Sequence, residues 1–247
     1  MLKQLTKRIY YLEGKEETDQ PFLYYIKGDK KSLAIDAGNS EEHVRLFYKE
    51  LDRKGLRKPD YTVLTHWHWD HTFGLHAVSG QTIASNQTNQ KLREVMKWEW
   101  TEEKMRQREQ MGEDIAFCND CILKVYPNLS KIKVVQAQIS VQNEMEVDLG
   151  GVHCKLMCHD STHSRDALFI YLPEEKTLAV GDADCEDYYE NGGNYDEGRL
   201  AQLIDYIEEI PFDRYLLGHE VPQKREEVLN YLKEELESVK RGNSYGF

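Results

Sequence analysis

Four metal-capable side chains fall within six residues of this 247-residue chain: His66, His68, Asp70 and His71, in the run Thr65-His66-Trp67-His68-Trp69-Asp70-His71. In an extended or turning backbone alternate residues point the same way, so His66 and His68 can converge on one cation. Asp70 and His71 stand where a helix would begin, and there they can face a second cation a few ångströms away. Three further donors come from far along the chain. His163 precedes an apolar strand, Asp182 follows Leu178-Ala179-Val180-Gly181, and His219 follows Arg214-Tyr215-Leu216-Leu217-Gly218. Two cations sharing a water lower its pKa from about 15.7 toward neutrality, polarise a scissile group and stabilise the leaving oxygen. Hydrolysis is therefore the default chemistry of such a set. Asp70, beside that water, is the candidate to orient the nucleophile and pass its proton to the leaving group.

Residues so far apart in sequence need a scaffold that gathers them, and strand ends along one edge of a sheet do this. Residues 8–12, 22–26 and 32–35 are β-branched and aromatic runs separated by Gly, Asp and Lys turn chemistry, which predicts an antiparallel meander. The third run ends in Asp36, either a turn residue or a buried carboxylate that orients a metal ligand. Residues 40–54 repeat apolar side chains at helical spacing after Ser40, a predicted N-cap. A short strand at 61–64 then carries the histidine motif, and a short helix and a strand at 82–85 follow it. In the second half, strands are expected at 152–158, 166–171, 178–181 and 214–218, with helices around 200–207 and 228–236.

Residues 86–131 differ in character: Leu92, Val95, Met96, Trp98, Trp100, Met105 and Met111 lie among many charges. The pattern predicts one or two amphipathic helices inserted between sheet elements. They act either as a cover over the site, with Trp98 lining it, or as a stripe packed on the sandwich or on a second copy in a homodimer. Cys118 and Cys121 form a lone CxxC, a weak metal signal. The other two candidates, Cys154 and Cys158, alternate with Val152 and Leu156 on one strand face, as core residues would.

Composition narrows the partners. Six prolines, sixteen glycines and 40% hydrophobic residues describe a globular chain with a full core, expected as a single domain over 1–247. A formal net charge of −12 argues against a phosphate-backbone partner, since nucleic-acid affinity depends on Lys/Arg clusters. A small-molecule substrate is expected instead. No apolar run reaches membrane-span length, residues 1–8 lack the pattern of a secretion signal, and five cysteines suit a reducing compartment; the expected location is the cytoplasm.

The HxHxDH motif, the histidine ahead of a strand, and the Gly-Asp and Gly-His that close two later strands occur in the order of the metallo-β-lactamase superfamily, which the chain resembles over nearly its whole length. The resemblance implies an α+β fold, an αββα sandwich with two metals at one edge. It assigns His66, His68 and His163 to the first metal, Asp70, His71 and His219 to the second, and Asp182 to both. Such ligands suit two zinc ions, with iron or manganese as substitutes. One segment departs from the family pattern Gly-His-Thr-x-Gly, reading Thr162-His163-Ser164-Arg165-Asp166, with His159 four residues earlier. The His163 register puts the apolar strand directly after the loop, which leaves His159 as a pocket residue or a partner of a ligand. His43, His76 and His153 fit no ligand position and read as surface or packing histidines.

For the substrate, the resemblance points to glyoxalase-II-like thioesterases, lactonases and phosphodiesterases, which keep the full ligand set. True β-lactamases lack the carboxylate that Asp182 supplies. With no basic patch to cradle phosphate, an ester, lactone or thioester is favoured over a phosphodiester or nucleic acid. An iron oxidoreductase on the same fold is the other alternative. Tyr188, Tyr189, Asn191 and Tyr195 follow Asp182, where a tyrosine lines the pocket of related lactonases, although their spacing differs and Asn191-Gly192-Gly193-Asn194 is strong turn chemistry.

Overall fold

The structure, a computed structural model, describes residues 1–242; positions 243–247 of the expected single unit lie outside the described residues. The meander forms as the alternation predicts. Strands β1 (Lys3–Gln4), β2 (Ile9–Leu12), β3 (Leu23–Lys27) and β4 (Ser32–Ile35) pair antiparallel in sequence order. The direction then changes, because crossovers replace hairpins. Helix α1 (Glu41–Arg53) leads to β5 (Tyr61–Val63), and the short α2 (Trp69–Thr72) lies between β5 and β6 (Gln81–Ser85). Helices α3 (Asn86–Val95), α4 (Glu102–Gln110) and α5 (Ala116–Val125) then precede β7 (Ile139–Val141). β4 to β7 are parallel neighbours, completing a seven-stranded sheet in chain order. A second sheet of six strands runs β13-β12-β11-β10-β9-β8, made of β8 (Glu144–Asp148), β9 (His153–His159), β10 (Ala167–Leu172), β11 (Thr177–Gly181), β12 (Arg214–Leu217) and β13 (Gln223–Lys224). Helix α6 (Glu197–Glu209) crosses between the parallel pair β11 and β12, and α7 (Arg225–Lys240) follows β13.

Period-two alternation decides which face each side chain serves. On β10, Leu168, Ile170 and Leu172 enter the core between the sheets with Ile26, Leu33 and Ile35 of the first sheet, while Phe169 and Tyr171 pack with Leu203 and Ile207 of α6. On β3, Tyr24 and Ile26 face that shared core, and Leu23 and Tyr25 face Phe47 and Leu51 of α1. Each Leu or Ile so buried contributes about 1.5–3 kcal/mol, and the result is helix, sheet, sheet, helix. At α1, Ser40 accepts from the His43 N–H at 3.2 Å and caps the helix.

The sheets are stitched together at one edge. Tyr24 donates its hydroxyl to the Leu217 carbonyl at 2.7 Å, the Phe22 N–H donates to Gly218 at 2.6 Å, and the Leu168 N–H donates to Thr65 at 2.7 Å. That edge collects the ends of β4, β5, β11 and β12.

The insertion holds three α-helices and a turn of 3-10 helix at Leu129–Lys131, more than the one or two expected. Cys118 and Cys121 are buried on α5, while Cys154 and Cys158 face the core between the sheets, so the two pairs do not meet. The five cysteines are free thiols. No helix among the described residues is long and apolar enough to cross a membrane.

Candidate metal centre

The chain leaves β5 at Val63 and turns through His66 and His68 before α2 opens with Asp70 and His71 in its first turns. His163 arrives on the loop between β9 and β10, Asp182 directly after β11, and His219 just beyond β12. All seven meet. Their donor atoms form two groups, His66, His68 and His163 in one and Asp70, His71, Asp182 and His219 in the other, with the atoms of each group within 4.8 Å of one another. Asp182 Oδ2 stands between the groups, 3.9 Å from the Nε2 atoms of both His66 and His163, and 3.1 and 3.4 Å from those of His71 and His219. Asp70 Oδ2 lies 2.9 Å from His71 Nε2 and 3.1 Å from His219 Nε2, and His163 Nε2 lies 2.9 Å from His68 Nδ1.

The outward nitrogens of three of the rings are held as well. His71 Nδ1 meets Asp36 Oδ2 at 2.8 Å, His163 Nδ1 meets the Glu186 carbonyl at 2.7 Å, and His66 Nδ1 meets Thr65 Oγ1 at 3.1 Å. Asp36 also accepts from the Thr65 N–H at 2.8 Å, so of its two sequence readings the ligand-orienting one holds. Gly218 lets β12 pass close to Asp182, because a side chain there would run into Asp182 Oδ1.

Charge divides the site. Burial, with help from the neighbouring histidines, pushes His66 and His68 well below the ordinary imidazole range, which keeps them neutral. Burial also opposes charge on His71 and His219, but Asp70 and Asp182 outweigh it and raise both well above that range. Burial would raise the carboxyls of Asp70 and Asp182; His71 and His219 overcome it and hold both ionised. Two buried donor atoms, His66 Nε2 and Asp182 Oδ1, have no hydrogen-bond partner. Such atoms are costly to bury, and their position between converging imidazoles and carboxylates fits divalent cations of the zinc, iron or manganese class.

A cavity of about 550 Å³ opens beside His68 and His163, with Trp67, Lys91, Trp98 and Tyr189 among its walls. Of the residues expected there, Tyr189 and Trp98 are in place. The Tyr189 ring lies 4.8 Å from that of His68 and 5.0 Å from that of Trp67. Tyr188 is instead 52% exposed. Tyr195 turns away, donating to the Asp184 carbonyl at 2.9 Å and packing beside α6 and α7. His159 is corrected too. Its ring stacks on Phe169 at 5.1 Å and lies 4.3 Å from Tyr206, and it lines a separate cavity with Asp160 and Arg165, touching no ligand. Of the histidines set aside, His43 is a packing residue, fully buried, and burial holds it down at about 3; His153 pairs with Glu174 at 2.6 Å near the surface. Trp67, between the two histidines in sequence, joins the cavity wall with its ring 4.7 Å from that of His68.

The insertion also supports the centre. Its Val95, Met105, Cys118, Ile122 and Tyr126 bury Trp69 and Phe73, the apolar back of the turn that carries His66 to His71. Thr88 of α3 donates to Asp166 Oδ2 at 2.7 Å, tying the insertion to the His163 loop.

The sequence matches the profile of the Metallo-beta-lactamase superfamily over residues 17–219. No curated protein sequence matches it. Among solved structures, a metallo-β-lactamase from Pontibacter korlensis superimposes with a TM-score of 0.66 at 13% identity, covering 96% of this chain and 98% of that one. The structure of TMB-1 gives 0.66 at 18% identity, covering 97% and 98%. The sec-alkylsulfatase Pisa1 from Pseudomonas sp. gives 0.68 at 16% identity, with 97% of this chain laid on 41% of that one. Identities this low speak for the fold alone. Together with the profile match over most of the length and a ligand set in the family's order, they place the chain: it belongs to the metallo-β-lactamase superfamily.

Proposed function

We propose that this protein is a dinuclear metal-dependent hydrolase of small-molecule carboxylic esters, lactones or thioesters. The observation that carries the reading is Asp182 Oδ2 standing between two donor groups whose remaining atoms converge on either side of it. His66, His68 and His163 would hold one cation, Asp70, His71 and His219 the other, with Asp182 shared. Two such cations, when bound, would supply hydroxide at neutral pH and polarise the scissile carbonyl. The protein's own residues do the rest. Asp70, ionised and facing the interior, orients the attacking water and carries its proton to the leaving group. Trp67, Trp98 and Tyr189 give the cavity apolar walls that hold a small substrate and exclude water.

The cavity's cations argue for a neutral carbonyl over a phosphodiester. Lys91 sits 4.9 Å over the Trp67 ring and 3.5 Å from Glu94, and Arg165 is paired with Glu190 at 2.7 Å and Asp160 at 3.1 Å. A phosphodiester would have to break these pairs in a wall that also carries Glu113 and Asp187. The test is metal analysis of the purified protein, then a screen of esters, thioesters, lactones and phosphodiesters with the loaded enzyme. Two equivalents of metal and turnover of a carbonyl substrate are expected. Turnover confined to phosphodiesters, or redox-active iron without hydrolysis, would overturn the proposal.

A further inference from the structure

His219 is anchored differently from His66, His71 and His163. His66, His71 and His163 each have the outward nitrogen within 3.1 Å of a fixed oxygen, whereas the side chain of His219 is 33% exposed and its Nδ1 faces Asp19 Oδ1 at 4.0 Å. That distance is one water or one small side-chain rotation from a hydrogen bond. The segment that brings Asp19 there is firmly built. Residues 15 and 20 form an antiparallel bridge, the Gln20 N–H donating to Lys15 at 2.9 Å, around a 3-10 turn at Glu16–Thr18. The buried amide of Asn39 donates to the Thr18 carbonyl at 2.9 Å, Lys124 of α5 reaches the Glu17 carbonyl at 3.3 Å, and Phe22 is bonded to Gly218, next to His219. Asp19 itself adopts φ 50 and ψ 43, a left-handed conformation that glycine enters most cheaply and Asn or Asp tolerate. The sequence places a carboxylate there.

From this arrangement we infer that Asp19 is a positioning residue for the second metal half-site, fixing the tautomer and orientation of His219 from outside as Asp36 fixes His71. A histidine that ligates through one nitrogen donates the other N–H to such a partner, and losing the partner weakens the metal about 10- to 100-fold. The inference rests on the dinuclear reading above.

The test is titration of the metal-free full-length protein with cobalt(II), read by its visible absorption and by bound metal after dialysis, for the parent, Asp19→Gly and Asp19→Asn. Both variants suit the left-handed backbone, so the carboxylate is removed without distorting the turn, and thermal melting of the metal-free proteins checks this. In Asp19→Gly the first equivalent is expected to bind as in the parent and the second about 10- to 100-fold more weakly. Asp19→Asn, which keeps an acceptor oxygen but no charge, is expected to fall between. A second equivalent bound by Asp19→Gly with parental affinity overturns the inference, as does equal weakening of both equivalents, which marks a merely structural loop. A parent that takes up fewer than two cobalt ions instead overturns the dinuclear reading itself.

Discussion

The two donor groups of the candidate metal centre are built on opposite electrostatic plans. His66, His68 and His163 make a half-site whose buried members are kept neutral, pressed against the cavity and the insertion. Asp70, His71, Asp182 and His219 make a half-site of ionised carboxylates and imidazoles held in their charged form, at the end nearer the loop carrying Asp19. His66 and His68, kept neutral, accept a cation without giving up an imidazolium proton. The charged half must give up its imidazolium protons first, but gains carboxylates for the cation in return. Asp182 belongs to both, so it is where the comparison is easiest to break.

Replacing Asp182 with Ala is expected to have the largest effect. It removes the oxygen between the groups and one of two carboxylates in the charged half, leaving His71 and His219 with less to outweigh their burial. The second metal should be lost, the first weakened, and kcat/KM should fall by well over about a hundredfold, more than the loss of an outer partner costs. Two tightly held metals and full activity in that variant would sink the ligand assignment.

Within the first half-site, His163→Ala should abolish hydrolysis and first-site binding, whereas His159→Ala should leave kcat/KM within about twofold and cost stability on the order of 1 kcal/mol. The contrast follows from placement, His163 Nε2 being 2.9 Å from His68 Nδ1 while His159 packs between Phe169 and Tyr206. Metal content and melting temperature measured on both variants separate the two roles, and a reversed ranking would refute them.

The pH dependence sharpens the comparison further. His71 and His219, raised above the ordinary imidazole value, carry protons at neutral pH in the metal-free protein, and a cation must displace them. Second-site affinity should therefore rise with pH, by about tenfold per unit for each proton displaced. His66 and His68, lowered, have none to lose, so first-site affinity should change far less between about pH 6.5 and 8. Cobalt titrations at three pH values measure both, and parallel slopes would erase the distinction.

Much of this centre was legible in the chain because metal ligands announce themselves locally: a dense motif, then single donors at the ends of apolar strands. His66, His68, Asp70, His71, His163, Asp182 and His219 converge as their positions imply. What surrounds them was less legible. Tyr188, Tyr189 and Tyr195 share one loop and one chemistry, yet of the three Tyr189 lines the cavity, and no sequence periodicity marks which. Asp19 lies in a polar stretch with no pattern, and it gains its meaning from a strand end two hundred residues later. His159 and His163 were separable by the apolar strand that follows His163, but that His159 ends β9 and packs on Phe169 of β10, away from the centre, was not. The insertion's apolar residues read as one stripe, but three helices divide them among different jobs.

That division gives the smallest and most discriminating effects, in Trp98 and Trp100. Both belong to the cluster behind the turn that carries His66 to His71, their rings 5.8 Å apart, with the Arg108 guanidinium 4.4 Å from the first ring and 4.9 Å from the second. Trp98 also lines the cavity, while Trp100 meets Phe73 edge-on at 5.2 Å. Because the insertion buries Trp69 and Phe73, trimming it whole would expose the apolar back of the turn that holds Asp70 and His71, so metal loss after such a deletion would say nothing about a cover. Single substitutions keep that support. Trp98→Ala should leave metal content unchanged and shift the ratio of kcat/KM for a large and a small substrate by about 3- to 10-fold, the effect of about 1 kcal/mol of apolar contact made with one and not the other. Trp100→Ala should leave that ratio alone and lower stability by about 2 kcal/mol through the lost contact with Phe73. Melting temperature, bound metal and kcat/KM on the two substrates distinguish wall from buttress, and an unchanged ratio in Trp98→Ala would mean that the insertion supports the centre without governing what enters it.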